Sequence, residues 1–513
     1  MRVNTEGALL LDAWQALLPP DDPHRDYILD GVKNGFRVTT QDYTGDFVCE
    51  RNYKSATNPK VAPLVEQQIK EEIANGRYII TKDRPRIISA LGAIMKDNGK
   101  VRLIHDCSRP PGNALNDLAE CNRFSYQSIQ DAVNLITPGC YMAKVDLASA
   151  YRSVKIHPQD FTLSGLAWTF DGDTSPTIMH DSRLMFGARL SPGIFHQLTQ
   201  AVRRMMAHKG FDSNVAYLDD ILLINQTKEE CYAQTKELMS LLRSLGFAIN
   251  YDKVVCPTQL ITFLGVELNS LDCTLGLPSD KMEVFMKEVH CFYGKKSVSK
   301  RELQSLAGKL SWCSQVIHGG RPHLRRILDK IKLLNGPSHR TRVTSDVRKD
   351  LAWWIDFAPY FNGTLPMLDT RPYAPLCIDA CPKGGGGYFM GDGFNIQWSN
   401  WPGTLDLPIN YLEVLPLETA ARLWGPLWGN KIIKVHIDNK AACAIINKGT
   451  CKHPFVMDSL RRVFWLSAYY NFKISAVYYP GESNVIADAL SRVHEPAAWN
   501  VIRKIFPHLF NSC

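Results

Sequence analysis

The ten residues from Val215 to Ile224, VAYLDDILLI, decide the fold of this chain. Two adjacent aspartates, Asp219 and Asp220, stand between apolar runs. Because successive residues of a β-strand point to opposite faces, neighbouring aspartates can share one site only at a turn. The pattern therefore predicts a buried hairpin that carries both carboxylates at its tip. Two buried charges are costly unless a cation compensates them, so we expect bound metal ions there.

A third carboxylate belongs to the same predicted site. Asp146 follows Lys144 and Val145 at the end of a short predicted strand, and Met185–Phe195 is a glycine-containing loop that leads into a predicted helix. Magnesium usually binds one or two carboxylates together with water and substrate phosphates. Two such ions, about 3.5–4 Å apart, can activate an attacking hydroxyl and stabilise a leaving oxygen. We therefore predict phosphoryl transfer with two Mg²⁺ ions, for which Mn²⁺ is an alternative.

These segments resemble the motifs of reverse transcriptases, in the family's order, over residues 96–265. Tyr217–Asp220 is similar to the family's signature box, and the resemblance implies that Asp146, Asp219 and Asp220 hold the metal ions. It implies further roles for seven residues: Lys96 and Arg102 at the incoming triphosphate, Tyr151 as an aromatic gate against ribonucleotides, Lys253 near the leaving pyrophosphate, and Phe263, Leu264 and Gly265 as the primer grip. Taken singly, Arg102 and Lys253 also fit surface charges, and Tyr151 and Phe263 also fit core aromatics.

A second group of carboxylates lies beyond residue 372. Asp379 and Asp438 end two predicted strands, Glu413 stands at a predicted helix start, and Asp488 lies in a predicted helix. Such positions can converge on one edge of a small sheet, where four carboxylates would bind two metal ions and activate water against a phosphodiester. The segment resembles ribonuclease H, and the resemblance implies that these four acids are metal ligands.

Two details of this segment bear on the resemblance. Glu418 is an alternative to Glu413, which we favour because it directly follows the Asn-x-Leu entry to the helix, as in the family. The loop Tyr478–Asn484 lacks the histidine that many cellular relatives carry there. Metal binding is therefore expected, whereas fast product release is not.

The alternation of helical and strand patterns predicts an α+β multidomain chain. The resemblances imply a right-hand polymerase, with fingers, palm and a helical thumb or connector, followed by an α/β ribonuclease H-like domain. Ser299 and Glu302 form a predicted capping box, and Gly384–Gly387 is a predicted turn. The predicted segments are an N-terminal extension (1–60), reverse transcriptase fingers and palm (61–270), a helical thumb or connection (271–371), the ribonuclease H-like domain (372–495) and a C-terminal tail (496–513).

The composition of the chain bears on its globularity, its partners and its cellular location. The chain has 513 residues, 45% of them hydrophobic, which is globular composition, and a net charge of +8, which is compatible with a polyanionic partner. The run His323–Arg326 lies in a basic predicted helical connector and is interpreted as a solvated or nucleic-acid-facing charge patch. The 14 cysteines include no CxxC pair, and no secretion signal or run of 18 apolar residues occurs. We therefore expect an intracellular protein of the cytoplasm, the nucleus or both, neither secreted nor membrane-spanning.

The stretch from about 60 to 495 resembles DIRS-type retroelements, with gypsy-type elements as the alternative. The segments that carry this likeness are Arg102–Asp106 with Leu115–Asp117, Gly187–Pro192, and Asp438–Lys440 with Asn447–Gly449. Neither the Asp-Thr-Gly nor the Asp-Ser-Gly triplet of an aspartic protease occurs here.

The resemblance implies an RNA-directed and DNA-directed DNA polymerase with ribonuclease H activity. Its partners would be an RNA template, a DNA primer, the RNA–DNA hybrid and dNTPs; the oligomeric state stays open. One alternative is a domesticated or inactive copy that only binds nucleic acid, whose mark would be the loss of a metal-binding acid; all seven are present. Another is a phosphatase or nuclease that uses only the second domain, which leaves Tyr217–Asp220 unexplained.

Overall fold

The computed structural model describes residues 7–49, 51–96, 99–120, 124–317, 319–360, 364–404 and 406–507. The chain divides into two compact units. One comprises Met1–Leu264 with Leu268–Cys273, and the other comprises Gly265–Glu267 with Thr274–Cys513. Within the described ranges, no helix is both long enough and apolar enough to cross a membrane.

The first unit mixes short strands with helices of very different lengths. Its α-helices are Leu11–Leu17, Arg25–Asn34, Lys54–Thr57, Ala62–Ala74, Ile129–Leu135, Ser191–His208 and Lys228–Ser244. Its 3₁₀ helices are Leu115–Leu118, Ala150–Ser153, Pro158–Leu163 and Tyr251–Lys253. Its strands are Phe47–Val48, Tyr78–Ile80, Ile87–Ile88, Leu91–Met95, Val101–His105, Tyr141–Asp146, Gly165–Trp168, Thr177–Asp181, Asn214–Tyr217, Asp220–Asn225, Val255–Thr258 and Leu260–Phe263, and the strand Val266–Asn269 has residues in both units.

A four-stranded sheet forms the centre of the first unit. Its strand order is Val255–Thr258, Tyr141–Asp146, Asp220–Asn225 and Asn214–Tyr217. The four residues Ile221–Ile224 are all buried, so both faces of the sheet are covered. This explains why the sequence there is continuously apolar instead of alternating.

The N-terminal segment, predicted to be an extension, packs into the hydrophobic core of the first unit. Trp14 is fully buried, and its indole Nε1 donates a hydrogen bond of 3.1 Å to the carbonyl oxygen of Leu245. Leu18, Ile28 and Phe36 lie in the same hydrophobic core as the central sheet. The prediction was wrong because the partners lie far away in the sequence, as Leu245 does from Trp14, and a local sequence pattern does not indicate such contacts. Residues 1–6 and 50 lie outside the described residues.

The second unit contains a helical part followed by a sheet covered by helices. Its α-helices are Ser279–Gly294, Lys300–Cys313, Arg325–Lys332, Ser345–Phe357, Ile409–Leu412, Pro416–Trp424, Lys440–Lys448, Pro454–Tyr470, Val485–Ser491 and Pro496–Ile505. Its 3₁₀ helices are Arg321–Leu324, Trp398–Asn400, Gly425–Leu427 and Gly481–Ser483. Its strands are Thr274–Gly276, Ser297–Ser299, Arg340–Arg342, Thr364–Pro366, Tyr373–Ala380, Gly384–Phe389, Asp392–Gln397, Ile432–Ile437 and Lys473–Tyr478.

The predicted capping box in the helical part is present. The Ser299 hydroxyl accepts a hydrogen bond of 3.2 Å from the backbone N–H of Glu302, and the Glu302 carboxylate accepts one of 2.7 Å from the backbone N–H of Ser299. These contacts satisfy two donors that a helix start leaves free, so the helix Lys300–Cys313 begins at this point.

The sheet of the second unit has five strands. Their order is Asp392–Gln397, Gly384–Phe389, Tyr373–Ala380, Ile432–Ile437 and Lys473–Tyr478. The first three are antiparallel neighbours, and the last two run parallel to the central strand. Parallel neighbours bring their carboxyl ends to one edge, which is where the residues after the strands meet.

Gly384–Gly387 are the start of a strand and not the predicted turn. A Cβ atom on Gly385 would lie 2.8 Å from the Trp398 ring, and one on Gly386 would lie 2.6 Å from the Cβ of Leu490. The helix Val485–Ser491, which we call the Asp488 helix, therefore packs directly on the strand backbone. The turn prediction was wrong because these glycines serve close packing, which outweighs their ordinary preference for turns.

Residues 496–507 contain a packed helix and do not form the predicted tail. Pro496–Ile505, which we call the C-terminal helix, contributes Ala498 and Ile502 to a hydrophobic cluster that also contains Leu490 and Phe506. The predicted C-terminal tail (496–513) is therefore wrong for this segment, because its apolar partners, such as Leu490, belong to the preceding helix. Residues 508–513 lie outside the described residues.

The basic stretch around His323 is only partly a surface feature. His323 is 4% exposed and stacks on Trp353 with ring centroids 4.6 Å apart and an interplanar angle of 9°. Arg326 donates hydrogen bonds of 2.8 Å to Asp350 and 2.7 Å to Asp458. The interpretation as a solvated or nucleic-acid-facing patch is therefore wrong for His323 and Arg326, because their partners lie on helices far along the chain.

Candidate active sites

The predicted hairpin places three acids at one end of the central sheet of the first unit. Asp146 is the last residue of its strand, and Asp220 is the first residue of the antiparallel strand directly opposite. Asp219 lies in the turn, where the preceding Leu218 has a φ of 52°. This left-handed conformation is uncommon for leucine and costs roughly 1–2 kcal/mol. Leu218 is partly buried and packs against the hydrophobic core of the first unit.

Burial also changes the acidity of these aspartates. It raises the pKa of Asp220 to about 6, while the nearby Lys144 acts in the opposite direction. It raises the pKa of Asp219, and the negative charge of Asp146 adds to that rise. A bound cation would relieve this excess of negative charge. The carboxylate oxygens of Asp146, Asp219 and Asp220 do not all lie within 4.8 Å of one another. These three acids are therefore spaced more widely than the ligands of a closed metal-binding cluster.

Asp146 is fixed by two residues of the segment that follows the long helix. The Asn250 side-chain amide donates a hydrogen bond of 3.0 Å to Asp146 Oδ1, and Lys253 Nζ lies 3.2 Å from the same oxygen. The Lys253 side chain is 62% exposed, so its ammonium group is accessible beside the carboxylate. Asn250 had no role assigned from the sequence, although it lies three residues before Lys253.

A cleft of about 880 Å³ adjoins these acids. It is lined by Asp146 and Asp219 and by the predicted cations Lys96, Arg102 and Lys253. Burial lowers the pKa of Lys96, and the positive charges of Arg102 and Lys253 lower it further. Cations that repel one another in this way match a polyanion such as a triphosphate.

Phe186 joins two of the predicted substrate residues. The guanidinium carbon of Arg102 lies 4.8 Å from the centroid of the Phe186 ring. The Tyr151 ring stacks on Phe186 with centroids 4.9 Å apart and an interplanar angle of 23°. Tyr151 lines the cleft although it is only 9% exposed. Sequence reasoning missed Phe186, whose position in the loop Met185–Phe195 was the available indication.

The predicted primer-grip residues differ in exposure and conformation. Phe263 is fully buried at the end of its strand, so it has the core position that was its alternative interpretation. Leu264 and Gly265 form the following turn, with φ angles of 48° and 82°. Any contact of this turn with nucleic acid therefore belongs to Leu264 and Gly265.

The second unit brings three of its four predicted acids into one cluster. Asp379 lies in the central strand, Asp438 follows the neighbouring parallel strand, and Glu413 lies between the helices Ile409–Leu412 and Pro416–Trp424. One oxygen from each acid lies within 4.8 Å of the others. Asp379 and Glu413 are 4% and 3% exposed. We call these three residues the acid cluster.

The charges of the acid cluster are poorly compensated. Burial raises the pKa of Glu413 to about 9, and the charges of Asp379 and Asp438 add to the rise. Burial likewise raises the pKa of Asp379 to about 6. Glu413 Oε2 is buried and accepts no hydrogen bond among the described residues. An unsatisfied carboxylate oxygen beside two further acids fits the donor set that Mg²⁺ prefers.

The fourth predicted acid stands apart from the acid cluster. Asp488 accepts a hydrogen bond of 2.7 Å from Arg492 Nε, and its charge raises the pKa of Asp379. Ser491, on the same helix, donates a hydrogen bond of 2.7 Å to Asp379 Oδ2. Sequence reasoning assigned no role to Ser491, although it lies in the motif that contains Asp488.

The alternative glutamate has a different environment. Glu418 accepts hydrogen bonds of 2.6 and 2.8 Å from Arg462 and one of 2.9 Å from Arg422. Its charge is therefore already compensated by arginines. Glu413 lies with Asp379 and Asp438, and Glu418 does not.

Comparison with known proteins agrees with this geometry. The family model of reverse transcriptases (RNA-dependent DNA polymerases) matches residues 94–268. A polyprotein of Cassava vein mosaic virus is 22% identical over 422 residues, covering 77% of this chain and 58% of the polyprotein. The genome polyprotein of Petunia vein clearing virus (isolate Shepherd) is 19% identical over 416 residues, covering 77% of this chain and 17% of the polyprotein. The chain thus spans little more than half, or less, of these relatives.

Solved structures extend the likeness to both units. The foamy viral protease-reverse transcriptase in complex with an RNA/DNA hybrid matches 92% of this chain and 63% of its own, with a TM-score of 0.54 and 16% identity. The same enzyme in complex with dsDNA matches 92% and 98%, with a TM-score of 0.51 and 17% identity. The predicted fold class, an α+β multidomain chain, is confirmed. Residues 94–268 are therefore similar to reverse transcriptases, and the relatives matched over most of the chain are viral polyproteins.

Proposed function

We propose that this chain copies a retroelement RNA into DNA and cleaves the RNA strand of the resulting hybrid. The observation that carries the proposal is the presence of two separate carboxylate centres. One lies beside a cation-lined cleft and contains Asp146 and Asp219. The other is the acid cluster of the second unit. Synthesis on RNA and on DNA templates would use the first centre, and hydrolysis would use the second.

For synthesis, the first centre must bind a primer end and an incoming dNTP. Asp146, Asp219 and Asp220 would hold two Mg²⁺ ions, which when bound activate the primer hydroxyl and stabilise charge on the transferred phosphate. The cations that line the cleft would hold the triphosphate through charge-assisted hydrogen bonds: Lys96, Arg102 and Lys253.

For cleavage, the second centre must bind a phosphodiester of the RNA strand. Asp379, Glu413 and Asp438 would hold metal ions together with Asp488, and the ions would supply an activated water. Ser491 keeps Asp379 in place through its hydrogen bond of 2.7 Å. The missing loop histidine removes one group that helps turnover in many cellular relatives, so we expect slow release of the cleaved RNA.

The similar structures support these partners. They contain an RNA/DNA hybrid in one complex and dsDNA in another. We further propose that the source is a DIRS-type element, because of the motif likeness at Arg102–Asp106, Gly187–Pro192 and Asp438–Lys440.

A single pair of assays tests the proposal. With Mg²⁺ or Mn²⁺, the purified chain should extend a DNA primer on an RNA template and should cut the RNA of a preformed hybrid. A chelator should stop both reactions. A folded protein that binds hybrid but performs neither reaction with either ion would contradict the proposal and favour a domesticated nucleic-acid-binding copy.

Tyr151 is expected to separate deoxyribonucleotides from ribonucleotides. The two sugars differ by one 2′-hydroxyl, and an occupied volume rejects an added group better than a hydrogen-bonding site does. The stack on Phe186 gives the Tyr151 ring a fixed position for this purpose. Tyr151→Ala should keep much of the dNTP incorporation and raise ribonucleotide incorporation sharply.

The ratio of incorporation efficiencies for the two sugars is the measurement for Tyr151. Tyr151→Phe, which keeps the ring, is the control and should behave like the unmodified chain. If Tyr151→Ala lowered both efficiencies in proportion, Tyr151 would be a core aromatic and not a gate.

A further inference from the structure

The Asp488 helix brings two groups to the acid cluster. Ser491 donates its hydrogen bond to Asp379, and the Asp488 carboxylate acts on the same residue through its charge. This helix has seven residues, Val485–Ser491, which is too short to be stable alone in water. Its position therefore depends on what packs against each of its faces.

One face of the Asp488 helix lies on the strand Gly384–Phe389, which we call the glycine strand. A Cβ atom on Gly386 would lie 2.6 Å from the Cβ of Leu490 and from the backbone nitrogen of Ser491. This close approach sets how near the helix can come to the sheet. Asn484, directly before the helix, donates a hydrogen bond of 2.9 Å to the carbonyl oxygen of Ile378, but the glycines themselves offer no side chain for the helix to pack against.

The C-terminal helix supplies that packing. Its residues Ala498 and Ile502, together with Phe506, form a hydrophobic cluster with Ala489 and Leu490 of the Asp488 helix. The Phe506 ring lies 6.1 Å from the ring of Tyr388, a residue of the glycine strand. The C-terminal helix therefore binds both the Asp488 helix and the strand beneath it.

A chain of polar contacts leads from the start of the C-terminal helix to the acid. The backbone N–H of Glu495 donates a hydrogen bond of 2.8 Å to the carbonyl oxygen of Arg492. Arg492 Nη1 lies 3.6 Å from the Glu495 carboxylate. Arg492 Nε donates the hydrogen bond of 2.7 Å to Asp488 Oδ1. The C-terminal helix thus influences both the helix backbone and the carboxylate.

We propose that the C-terminal helix is a positioning element for hybrid cleavage, which fixes the Asp488 helix so that Asp488 and Ser491 stand correctly beside Asp379. The inference rests on the proposed function. Among the described residues, the main hydrophobic core of the five-stranded sheet and its covering helices includes no residue that follows Ala476 in the sequence. The C-terminal helix therefore contributes no residue to this core cluster, and its apolar contacts are with the Asp488 helix and the strand beneath it.

The test compares the same substitution at two positions of the C-terminal helix in the full chain. Ile502 is 5% exposed and faces the Asp488 helix, whereas Ile505 is 37% exposed. Ile502→Asp should raise the Mg²⁺ concentration for half-maximal hybrid cleavage, or lower its rate, by about 10- to 100-fold, the usual effect of losing a group that orients metal ligands. Ile505→Asp should leave cleavage unchanged, and both variants should retain primer extension.

Three outcomes decide the matter. An unchanged Mg²⁺ dependence and rate of cleavage in Ile502→Asp would overturn the inference. If that variant loses the thermal unfolding transition of the second unit, the milder Ile502→Ala is measured by the same readout, and a shifted Mg²⁺ dependence in a folded protein supports the inference. An unmodified chain without hybrid cleavage would contradict the proposed function itself.

Discussion

Asp219→Asn is expected to abolish DNA synthesis and to leave hybrid cleavage intact. Asparagine keeps the shape of the side chain but removes the charge that a metal ion needs. Loss of several kcal/mol of charge stabilisation, about 4 kcal/mol, corresponds to a fall of about a thousandfold in the rate of primer extension. Single-turnover extension with Mg²⁺ measures this effect, and cleavage of a preformed hybrid is measured in the same preparation.

The control for this variant is an acid of the same unit away from the cleft. Asp173 is exposed and does not line the cleft, so Asp173→Asn should extend primers at the normal rate. Normal extension by Asp219→Asn would remove the hairpin from the catalytic site. Equal loss in both variants would point to damage that is not specific to the hairpin.

Asp438→Asn should have the opposite effect. Asp438 contributes one oxygen to the acid cluster, where Glu413 and Asp379 already have raised pKa values because of burial. Removing its charge should lower metal affinity and slow hybrid cleavage by about a thousandfold, which again corresponds to about 4 kcal/mol. Primer extension should be unaffected.

Asp406 provides the matched control in the second unit. It is exposed and has a φ of 70°, a conformation that asparagine also tolerates. Asp406→Asn should therefore cleave hybrid normally. If either Asp219→Asn or Asp438→Asn removed both activities from a folded protein, the assignment of two separate sites would be wrong.

The parts of the site that follow strand ends could be predicted from the sequence. Asp146, Asp219 and Asp438 each stand next to a short apolar run, and period-two patterning fixes where such a run can turn. The hairpin and the edge of the five-stranded sheet follow from this local rule. The catalytic roles of these acids stay predictions until the variants are measured.

Features that depend on distant partners could not be predicted. Trp14 is buried and donates a hydrogen bond to the carbonyl oxygen of Leu245, more than 200 residues away. No local sequence pattern indicates such a contact. His323 was interpreted from its basic neighbours, yet Trp353 and Asp350 bury it. Phe186 lay within a quoted motif, but only the folded chain brings its ring between Arg102 and Tyr151.

The glycine strand has a consequence at the level of the genetic message. Apart from the change of GGA to a stop codon, every substitution at the first or second base of a glycine codon introduces a side chain, and at Gly386 even a methyl group would collide with Leu490 and Ser491. The four consecutive codons for Gly384–Gly387 therefore form a compact mutational target. If the second unit performs the proposed hybrid cleavage, a gene copy that drifts without selection would lose that activity through many different single-base changes there, while the first unit stayed intact. Four consecutive glycines at positions 384–387 are accordingly a simple genomic marker of copies in which the Asp488 helix can still pack on this strand.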